Sequence, residues 1–275
     1  MLYKYYRKKL KSCNRHNDIF ISPSKNLKFK NTHVGERCFI LATGPSINKQ
    51  DLLPLKNEVC IAVSEFYLHK EFTVIHPEYY VSAPNHAPFT DEAVATRISH
   101  FINMPSDCNV FIGDNNYSFS FSNYFRRFPT LIRPNFSFID YSSSEQLSEN
   151  NVRDQRLWDI SRFPFAPRTV VYIAIQVAVY MGFNRIFLLG CDHDYLLDFK
   201  RVTNHHFYEE SLGISDKEHL SQFSSERWFK EYYYRWMQYR LMNEYLNQRG
   251  IQIFNATDGG LLDVFPRVPF ESLFI

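Results

Sequence analysis

The chain has 275 residues, of which 45% are hydrophobic and 22% are charged, and its formal net charge is +2. This composition excludes a disordered chain, and the length allows a substantial core within a single domain. The near-neutral charge gives no indication of a general nucleic-acid binder, so we expect no nucleic-acid partner.

The positive charge is concentrated at the start of the sequence. Six basic residues precede the first acid, Asp18: Lys4, Arg7, Lys8, Lys9, Lys11 and Arg15. A basic stretch interleaved with tyrosines is typical either of a solvated extension or of a segment that rests on an anionic membrane surface. We therefore assign residues 1–34 to a basic N-terminal extension, in which residues 1–16 are the candidate for a peripheral contact with the inner membrane.

Features of secreted and membrane-spanning chains are absent from the pattern. The sequence has no run of 18 apolar residues, and no charged start followed by an apolar segment. Its cysteines have no metal-binding spacing: Cys13, Cys38, Cys60, Cys108 and Cys191. We expect reduced core cysteines and a cytoplasmic protein, with a peripheral contact to the inner membrane as the open alternative.

Short apolar runs alternate with helix-length connections along the chain. Strands are predicted at 37–43, 59–63, 79–82, 109–112, 185–190 and 251–254. Helices are predicted at 48–55, 91–101, 170–181 and from 224 or 225 to 248. This alternation is typical of βαβ units and a parallel sheet.

Two stretches, near 114–166 and 196–222, lack clear periodicity. Because they follow strand ends, we predict that they lie over the active face as an irregular lid. The predicted fold class is α/β, with a Rossmann-like, mostly parallel sheet and helices on both faces.

Four polar segments follow predicted strands: residues 43–46, 64–67, 190–195 and 255–260. In open α/β sheets ligands bind beyond the carboxyl ends of the strands, so these segments are expected to converge on one site. The turn at Thr43-Gly-Pro-Ser46 leads toward a predicted helix start, and that combination is typical of an anion site. Strand-end hydroxyl, amide and carboxylate groups suit ribose and base edges, which favours a nucleotide.

The densest polar cluster is Asp192-His-Asp194. Two interpretations stay open for it: a divalent cation held by Asp192 and Asp194, or Asp192 as a ligand of ribose hydroxyls. His193 is then a base candidate or an ordinary strand-end histidine.

Two further histidines, His205 and His206, lie in the second irregular stretch. Either could act as a general base over the site, or both could be exposed loop residues. The aromatic helix that follows is expected to pack on the sheet, with acceptor or membrane contact as the alternative.

Several of these segments together resemble known families. The residues are Thr43-Gly-Pro-Ser-Ile47, Leu188-Leu-Gly-Cys-Asp-His193, His206-Phe-Tyr208 and the tail from Asn255 to Val268. They resemble the Rossmann-type domain of motility-associated-factor glycosyltransferases and 6-hydroxymethylpterin pyrophosphokinase-like proteins. Their order is also similar to that in bacterial sialyltransferases of the Campylobacter lipooligosaccharide type.

The sialyltransferase resemblance implies a CMP-activated sugar donor, an inverting displacement and no required metal or other cofactor. It implies that Gly44, Ser46, Arg168 and Thr169 contact the donor phosphate, that Gly190 and Asp192 hold ribose and base, and that His206 is the base. The predicted catalytic residues are His206 and Arg168, and the predicted nucleotide-binding residues are Thr43, Gly44, Pro45, Ser46, Ser64, Thr169, Gly190, Cys191, Asp192, Asn255 and Thr257. The family has Asn where this chain has Thr43 and Ser64.

Residues 35–275 are therefore interpreted as a single Rossmann-like glycosyltransferase domain. The expected reaction moves sialic acid or another nonulosonic acid to a bacterial surface glycan, in lipopolysaccharide or capsule biosynthesis. The alternatives are a Mg²⁺-dependent diphosphotransferase of the pterin pyrophosphokinase type, and a nucleotide-binding accessory protein without turnover.

Overall fold

The computed structural model describes residues 21–87, 89–198, 205–208 and 223–274. A single sheet of seven parallel strands runs through it in the order β5-β4-β3-β2-β1-β6-β7. The strands are β1 (Arg37–Leu41), β2 (Cys60–Val63), β3 (Tyr79–Ser82), β4 (Asn109–Asp114), β5 (Phe136–Asp140), β6 (Arg185–Leu189) and β7 (Gln252–Asn255).

The helices of the described residues include both α-helices and short 3₁₀ turns. The α-helices are α1 (Phe72–Ile75), α2 (Asp91–Ile102), α3 (Phe121–Arg127), α4 (Val170–Met181) and α5 (Ser225–Asn247). The 3₁₀ turns are Pro23–Phe29, Pro45–Lys49, Leu53–Asn57, Phe66–Leu68, Pro129–Leu131, Gln155–Trp158, Asp194–Leu196 and Phe270–Phe274.

The strand order reverses at β1. The chain moves outward from β1 to β5 on one side, and then crosses back to place β6 on the other side of β1. The pairing of β1 with β6 extends from Arg37↔Arg185 to Leu41↔Leu189. Such a switch point leaves a crevice between two strand ends, and ligands of open α/β sheets bind there.

Both faces of the sheet are covered. On β1, Cys38 and Ile40 belong to the apolar cluster that contains α4 and α5, whereas Phe39 and Leu41 belong to the cluster that contains α2 and α3. This alternation is the period of two that a strand imposes on its side chains. The α/β fold with a parallel sheet and helices on both faces is confirmed.

The helix predicted at 48–55 is wrong. The structure has two 3₁₀ turns there, Pro45–Lys49 and Leu53–Asn57. Pro54 lies within the predicted span, and proline removes a helical hydrogen bond and disfavours helical backbone in the residue before it. The other predicted helices and strands are confirmed to within a few residues of their ends.

The stretch near 114–166, predicted to hold loops and short elements, contains α3 and β5, and the strand β5 was not predicted individually. β5 is an edge strand that pairs only with β4, among the described residues. Asn26, on a 3₁₀ turn, donates from Nδ2 to the carbonyl oxygens of Phe138 in β5 and of Ile160, both at 2.8 Å. One carbonyl group of the edge strand is therefore satisfied by a distant side chain, which local periodicity cannot reveal.

Several predictions fall outside the described residues. These are the basic segment 1–16 with its membrane contact, Cys13, and the parts of the second predicted lid at 199–204 and 209–222. Within the described ranges, no helix has both the length and the apolar character needed to cross a bilayer.

A buried carboxylate ends β4. The Asp114 side chain accepts a hydrogen bond from the Ser122 backbone N–H at 3.1 Å, and Asp114 is paired with Asp140 of β5 in the register. Burial raises the pKa of Asp114 from 3.8 to about 6; hydrogen bonds from Ser122 oppose the rise, and the charge of Asp140 adds to it. The folded state therefore stabilises the protonated form of Asp114 relative to its ionised form.

Asp114 should make stability depend on pH. Between about pH 4 and pH 6 the native chain binds a proton at Asp114 that the unfolded chain has lost, so this group's contribution falls as the pH rises through that window. The free energy of unfolding of Asp114→Asn, minus that of the wild type, should rise by up to about 3 kcal/mol between pH 4 and pH 7.5. Urea unfolding at both pH values measures it, with the exposed Asp258→Asn as control, and a constant difference would contradict the raised pKa.

Candidate functional site

A cavity of about 790 Å³ opens at the switch point between β1 and β6. Its walls come from the residues that follow β1, β2, β3 and β6, from the start of α4, from α5, and from the short segment 205–208. The convergence of strand-end segments is therefore observed for those after β1, β2 and β6. Residues 255–260, after β7, do not line this cavity.

The turn after β1 binds the carboxylate of Asp192, a residue of the same chain. Asp192 accepts hydrogen bonds from the Ser46 backbone N–H at 3.2 Å and from the Ser46 hydroxyl at 2.8 Å. The helix that begins here is a 3₁₀ turn of five residues, with little dipole to offer a ligand. The predicted phosphate site at this turn therefore already holds the carboxylate of Asp192.

Gly44 is required at this turn because of space. A Cβ atom at Gly44 would lie 1.7 Å from Asp192 Oδ2 and 2.5 Å from the carbonyl oxygen of Gly190. The Gly44 N–H donates to that same carbonyl at 2.8 Å. The ends of β1 and β6 thus approach closely, and only a residue without a side chain fits between them.

Burial raises the pKa of Asp192, while the hydrogen bonds from Ser46 lower it and the charge of Asp194 adds to the rise. Asp192 is only 7% exposed, yet it contributes to the cavity wall. Its remaining acceptor capacity is the feature that a ligand hydroxyl could use.

Residues 205–208 lie across the strand ends. The Phe207 N–H donates to the Thr43 carbonyl at 2.9 Å, and Thr43 Oγ1 lies 2.9 Å from His206 Nδ1. The Tyr208 hydroxyl donates to Glu65 at 2.7 Å, and the rings of His206 and Tyr208 stack with centroids 5.0 Å apart. The segment therefore holds His206 at the cavity wall.

The two other candidate histidines have partners of different kinds. His205 lies 3.2 Å from Asp194 and 3.4 Å from Asp198. His193 Nε2 lies 3.0 Å from the Tyr239 hydroxyl, and its backbone is left-handed, with φ +50°. His193 and His206 thus each contact a hydroxyl group, of Tyr239 and of Thr43 respectively, whereas the partners of His205 are two carboxylates.

The start of α4 supplies the helix N-terminus that the β1 turn lacks. Thr169 caps this 12-residue helix by accepting from the Val171 N–H at 3.4 Å, and residues 168–171 line the cavity. Arg168 donates to Glu231 of α5 at 2.6 Å. The positive end of the α4 dipole therefore faces the cavity.

The structure brings most of the predicted site residues to the cavity wall. These are Thr43, Gly44, Ser64, Arg168, Thr169, Gly190, Cys191, Asp192 and His206. Pro45, Ser46, Asn255 and Thr257 do not line it.

Asn255 and Thr257 support the wall from behind. Asn255 accepts from the Thr257 N–H at 3.1 Å and donates to the Leu262 carbonyl at 2.8 Å. The Thr257 hydroxyl accepts from the Cys191 N–H at 3.0 Å. The tail motif therefore shapes the loop after β6.

Arg235 and Tyr195 line the cavity and were not predicted as site residues. Arg235 lies on the aromatic helix, for which packing on the sheet was expected and acceptor or membrane contact was the alternative, so the sequence did not single it out from the other basic residues of that helix. Tyr195 ends the polar segment 190–195 and could have been found there.

The carboxylates of the alternative metal site are both engaged, Asp192 with Ser46 and Asp194 with His205. Among the described residues, no group of three or more His, Cys, Asp or Glu side chains is arranged to hold a metal ion.

No protein-family model matches the chain, and no curated protein matches its sequence. It is similar to the solved structure of the sialyltransferase CstII from Campylobacter jejuni in complex with cytidine-5'-monophosphate, with 14% identity, a TM-score of 0.47, and 86% of this chain and 85% of that chain covered. It is also similar to the monofunctional alpha-2,3-sialyltransferase Cst-I from the same organism, with 15% identity, a TM-score of 0.48, and coverages of 85% and 80%. These values are too low to assign the chain a family or an activity.

Gly44→Ala should deform the junction of β1 and β6. The new methyl group overlaps Asp192 Oδ2 and the Gly190 carbonyl, so the Ser46–Asp192 bonds must lengthen or the strands must part. We expect a loss of about 1–3 kcal/mol in the free energy of unfolding, measured by urea denaturation.

The control repeats the substitution in the Asp192→Ala background. There, Gly44→Ala should lower the free energy of unfolding by less than it does in the wild type, because one of the two overlaps is gone. Full additivity would contradict the proposed contact.

Proposed function

We propose that this protein is a glycosyltransferase that moves a sugar from a CMP-activated donor to a hydroxyl group of a glycan. The donor sugar proposed is sialic acid or another nonulosonic acid, as the sequence resemblance implies. The observation that carries the proposal is the meeting of three features in one cavity: the His206 imidazole, the α4 N-terminus and the Asp192 carboxylate. The transfer requires a base for the glycan hydroxyl, a site for the donor phosphate, and a hydrogen-bond acceptor for the ribose hydroxyls.

The donor phosphate is proposed to bind at the start of α4. The first N–H groups of a helix are unsatisfied, and the helix dipole favours an anion there. Thr169 and Arg168 line the cavity at this helix start. The resemblance implies that both contact the donor phosphate. Ser46 leaves this proposed set, because its hydroxyl and its N–H both donate to Asp192.

The nucleoside is proposed to lie over the ends of β1 and β6. Asp192 can accept from ribose hydroxyls, and Gly44 and Gly190 line the cavity beside it. A cavity of about 790 Å³ lies within the usual range for small-molecule sites.

His206 is proposed as the general base. The tautomer that donates from Nδ1–H to Thr43 Oγ1 carries its lone pair on Nε2, the atom that would receive the acceptor proton. The acceptor oxygen forms a bond to the anomeric carbon while the bond from that carbon to the donor phosphate oxygen breaks. The proton goes to His206, CMP leaves, and the configuration at the anomeric carbon inverts.

The acceptor class and the location are proposals from the resemblance. They are a bacterial surface glycan of the lipopolysaccharide or capsule type, and the cytoplasmic face of the inner membrane, with residues 1–16 as the peripheral contact. No observation favours the pterin diphosphotransferase, whose metal-binding carboxylates would be Asp192 and Asp194.

The experiment that tests this function measures CMP release from CMP-sialic acid, with and without glycan acceptors. His206→Asn should bind CMP normally but lower kcat by about 10² to 10⁴-fold, because the base is lost. The control is His76→Asn at an exposed residue with left-handed backbone, which Asn tolerates. Full activity of His206→Asn would contradict the base assignment, and CMP binding without turnover by the wild type would favour the accessory protein.

Thr43→Val tests whether Thr43 positions the base. The substitution keeps the volume and removes the hydroxyl that contacts His206 Nδ1. We expect kcat to fall by about five- to tenfold, the value of one hydrogen bond, with the Kd for CMP within about twofold of wild type. Thr43→Ser should restore kcat. A raised Kd with unchanged kcat would instead make Thr43 a nucleotide ligand.

A further inference from the structure

The Arg235 guanidinium is the feature of the cavity that the proposed mechanism leaves unused. Arg235 lies on α5, lines the cavity and is partly buried. Its Nε atom is buried and has no hydrogen-bond partner in the described part of the chain. The Nε–H group of the guanidinium therefore lacks the acceptor that a buried arginine usually has there.

The groups around Arg235 are tyrosines. Its Cζ atom lies 5.0 Å from the ring centre of Tyr195 and 5.9 Å from that of Tyr232, and these two rings stack with centroids 5.2 Å apart. The Tyr172 hydroxyl, in the first turn of α4, donates to the Arg235 backbone carbonyl at 2.6 Å. This contact fixes α5 beside the start of α4.

The other arginine of the cavity provides a direct comparison. The Nε atom of Arg168 is also buried without a hydrogen-bond partner, but Arg168 donates from its guanidinium to Glu231 at 2.6 Å, so its charge is matched within the protein. No ion pair of the described residues includes Arg235. The cavity carboxylates Asp192 and Asp194 are bonded to Ser46 and His205 instead.

An arginine side chain stays charged at every physiological pH, and a partly buried charge without a counter-ion is costly. The ring faces of Tyr195 and Tyr232 offset part of that cost. A side-chain hydrogen bond with Tyr195 offsets a further part, and an anion in the cavity would supply the missing counter-charge. The planar guanidinium fork matches a carboxylate in a bidentate geometry.

We propose that Arg235 binds the carboxylate of the sugar that is transferred. This inference rests on the proposed function, because it assumes that the donor carries an acidic sugar. Such a donor has two anionic groups, the phosphate ester and the sugar carboxylate. The cavity offers two electropositive features in neighbouring places: the N-terminus of α4, and Arg235. The phosphate binds at the N-terminus of α4, and the carboxylate binds to the guanidinium group of Arg235.

The test compares ligands with and without the carboxylate. Isothermal titration measures the Kd of CMP and of a non-transferable fluorinated analogue of CMP-sialic acid, on the wild type, Arg235→Met and Arg235→Lys. Met keeps an apolar stem against the tyrosines but has no charge, and Lys keeps the charge without the fork. Arg235→Met should weaken the analogue by about tenfold or more and change CMP by less than about twofold, with Arg235→Lys in between.

The matched control is Arg249→Met, at the exposed end of the same helix region, which should change neither Kd. Equal weakening of CMP and the analogue by Arg235→Met would show that Arg235 contacts the phosphate. Unchanged binding of both would show that it contacts no ligand. Either result overturns the proposal. Thermal melts check folding, and the Lys variant retains the comparison if the Met variant is unstable.

A separate arm distinguishes failure of this inference from failure of the proposed donor. If the wild type binds neither cytidine ligand, the CMP donor is wrong. UDP-glucuronate and UDP-glucose, a pair that differs in one carboxylate, are then compared on the same variants. A wild-type preference for the acidic sugar that disappears in Arg235→Met supports the carboxylate role, and the absence of any preference overturns it.

Discussion

The contact between Asp192 and Ser46 is the constraint on which the site depends. It joins the ends of β1 and β6 across the switch point, where a loop from one strand meets a turn from the other. The contact requires Gly44, because any side chain there would occupy the position of the carboxylate. Since a buried carboxylate without donors would be costly, the hydroxyl and the N–H of Ser46 are committed to the protein rather than to a ligand.

The charged groups of the cavity lie on two separate sides. The acidic groups, Asp192 and Asp194, lie on the side of β6, and the cationic features lie where α4 and α5 meet. Of the two arginines, Arg168 is neutralised by Glu231, whereas Arg235 is surrounded by tyrosines. The proposed donor, with a hydroxyl-rich part and an anionic part, would be favoured in one orientation, with its hydroxyls toward Asp192 and its anionic groups toward the helices.

The segment 205–208 links this charge pattern to the proposed base. It is attached to residues that follow three different strands: to Thr43 after β1, to Glu65 after β2, and to Asp194 after β6. Each hydrogen bond contributes only about 1 kcal/mol, so the segment holds its place through several of them together. Thr43 contributes its carbonyl to Phe207 and its hydroxyl to His206, so the end of β1 sets both the floor of the cavity and the orientation of the imidazole.

The sequence by itself determined the parallel α/β fold, six of the seven strands and the strand ends that carry most of the cavity wall. Those features follow from local apolar patterns and from the rule that ligands bind at the carboxyl ends of parallel strands. Tertiary structure alone decided which polar groups neutralise one another. Ser46 and Asp192 are 146 residues apart, Arg168 and Glu231 are 63 apart, and Asn26 and Phe138 are 112 apart. A local pattern contains no information on such pairs, because hydrogen bonds and charges act over a few ångströms in space, whatever the separation along the chain. Only the folded chain could therefore show that Asp192 occupies the β1 turn and that the start of α4 and Arg235 line the cavity.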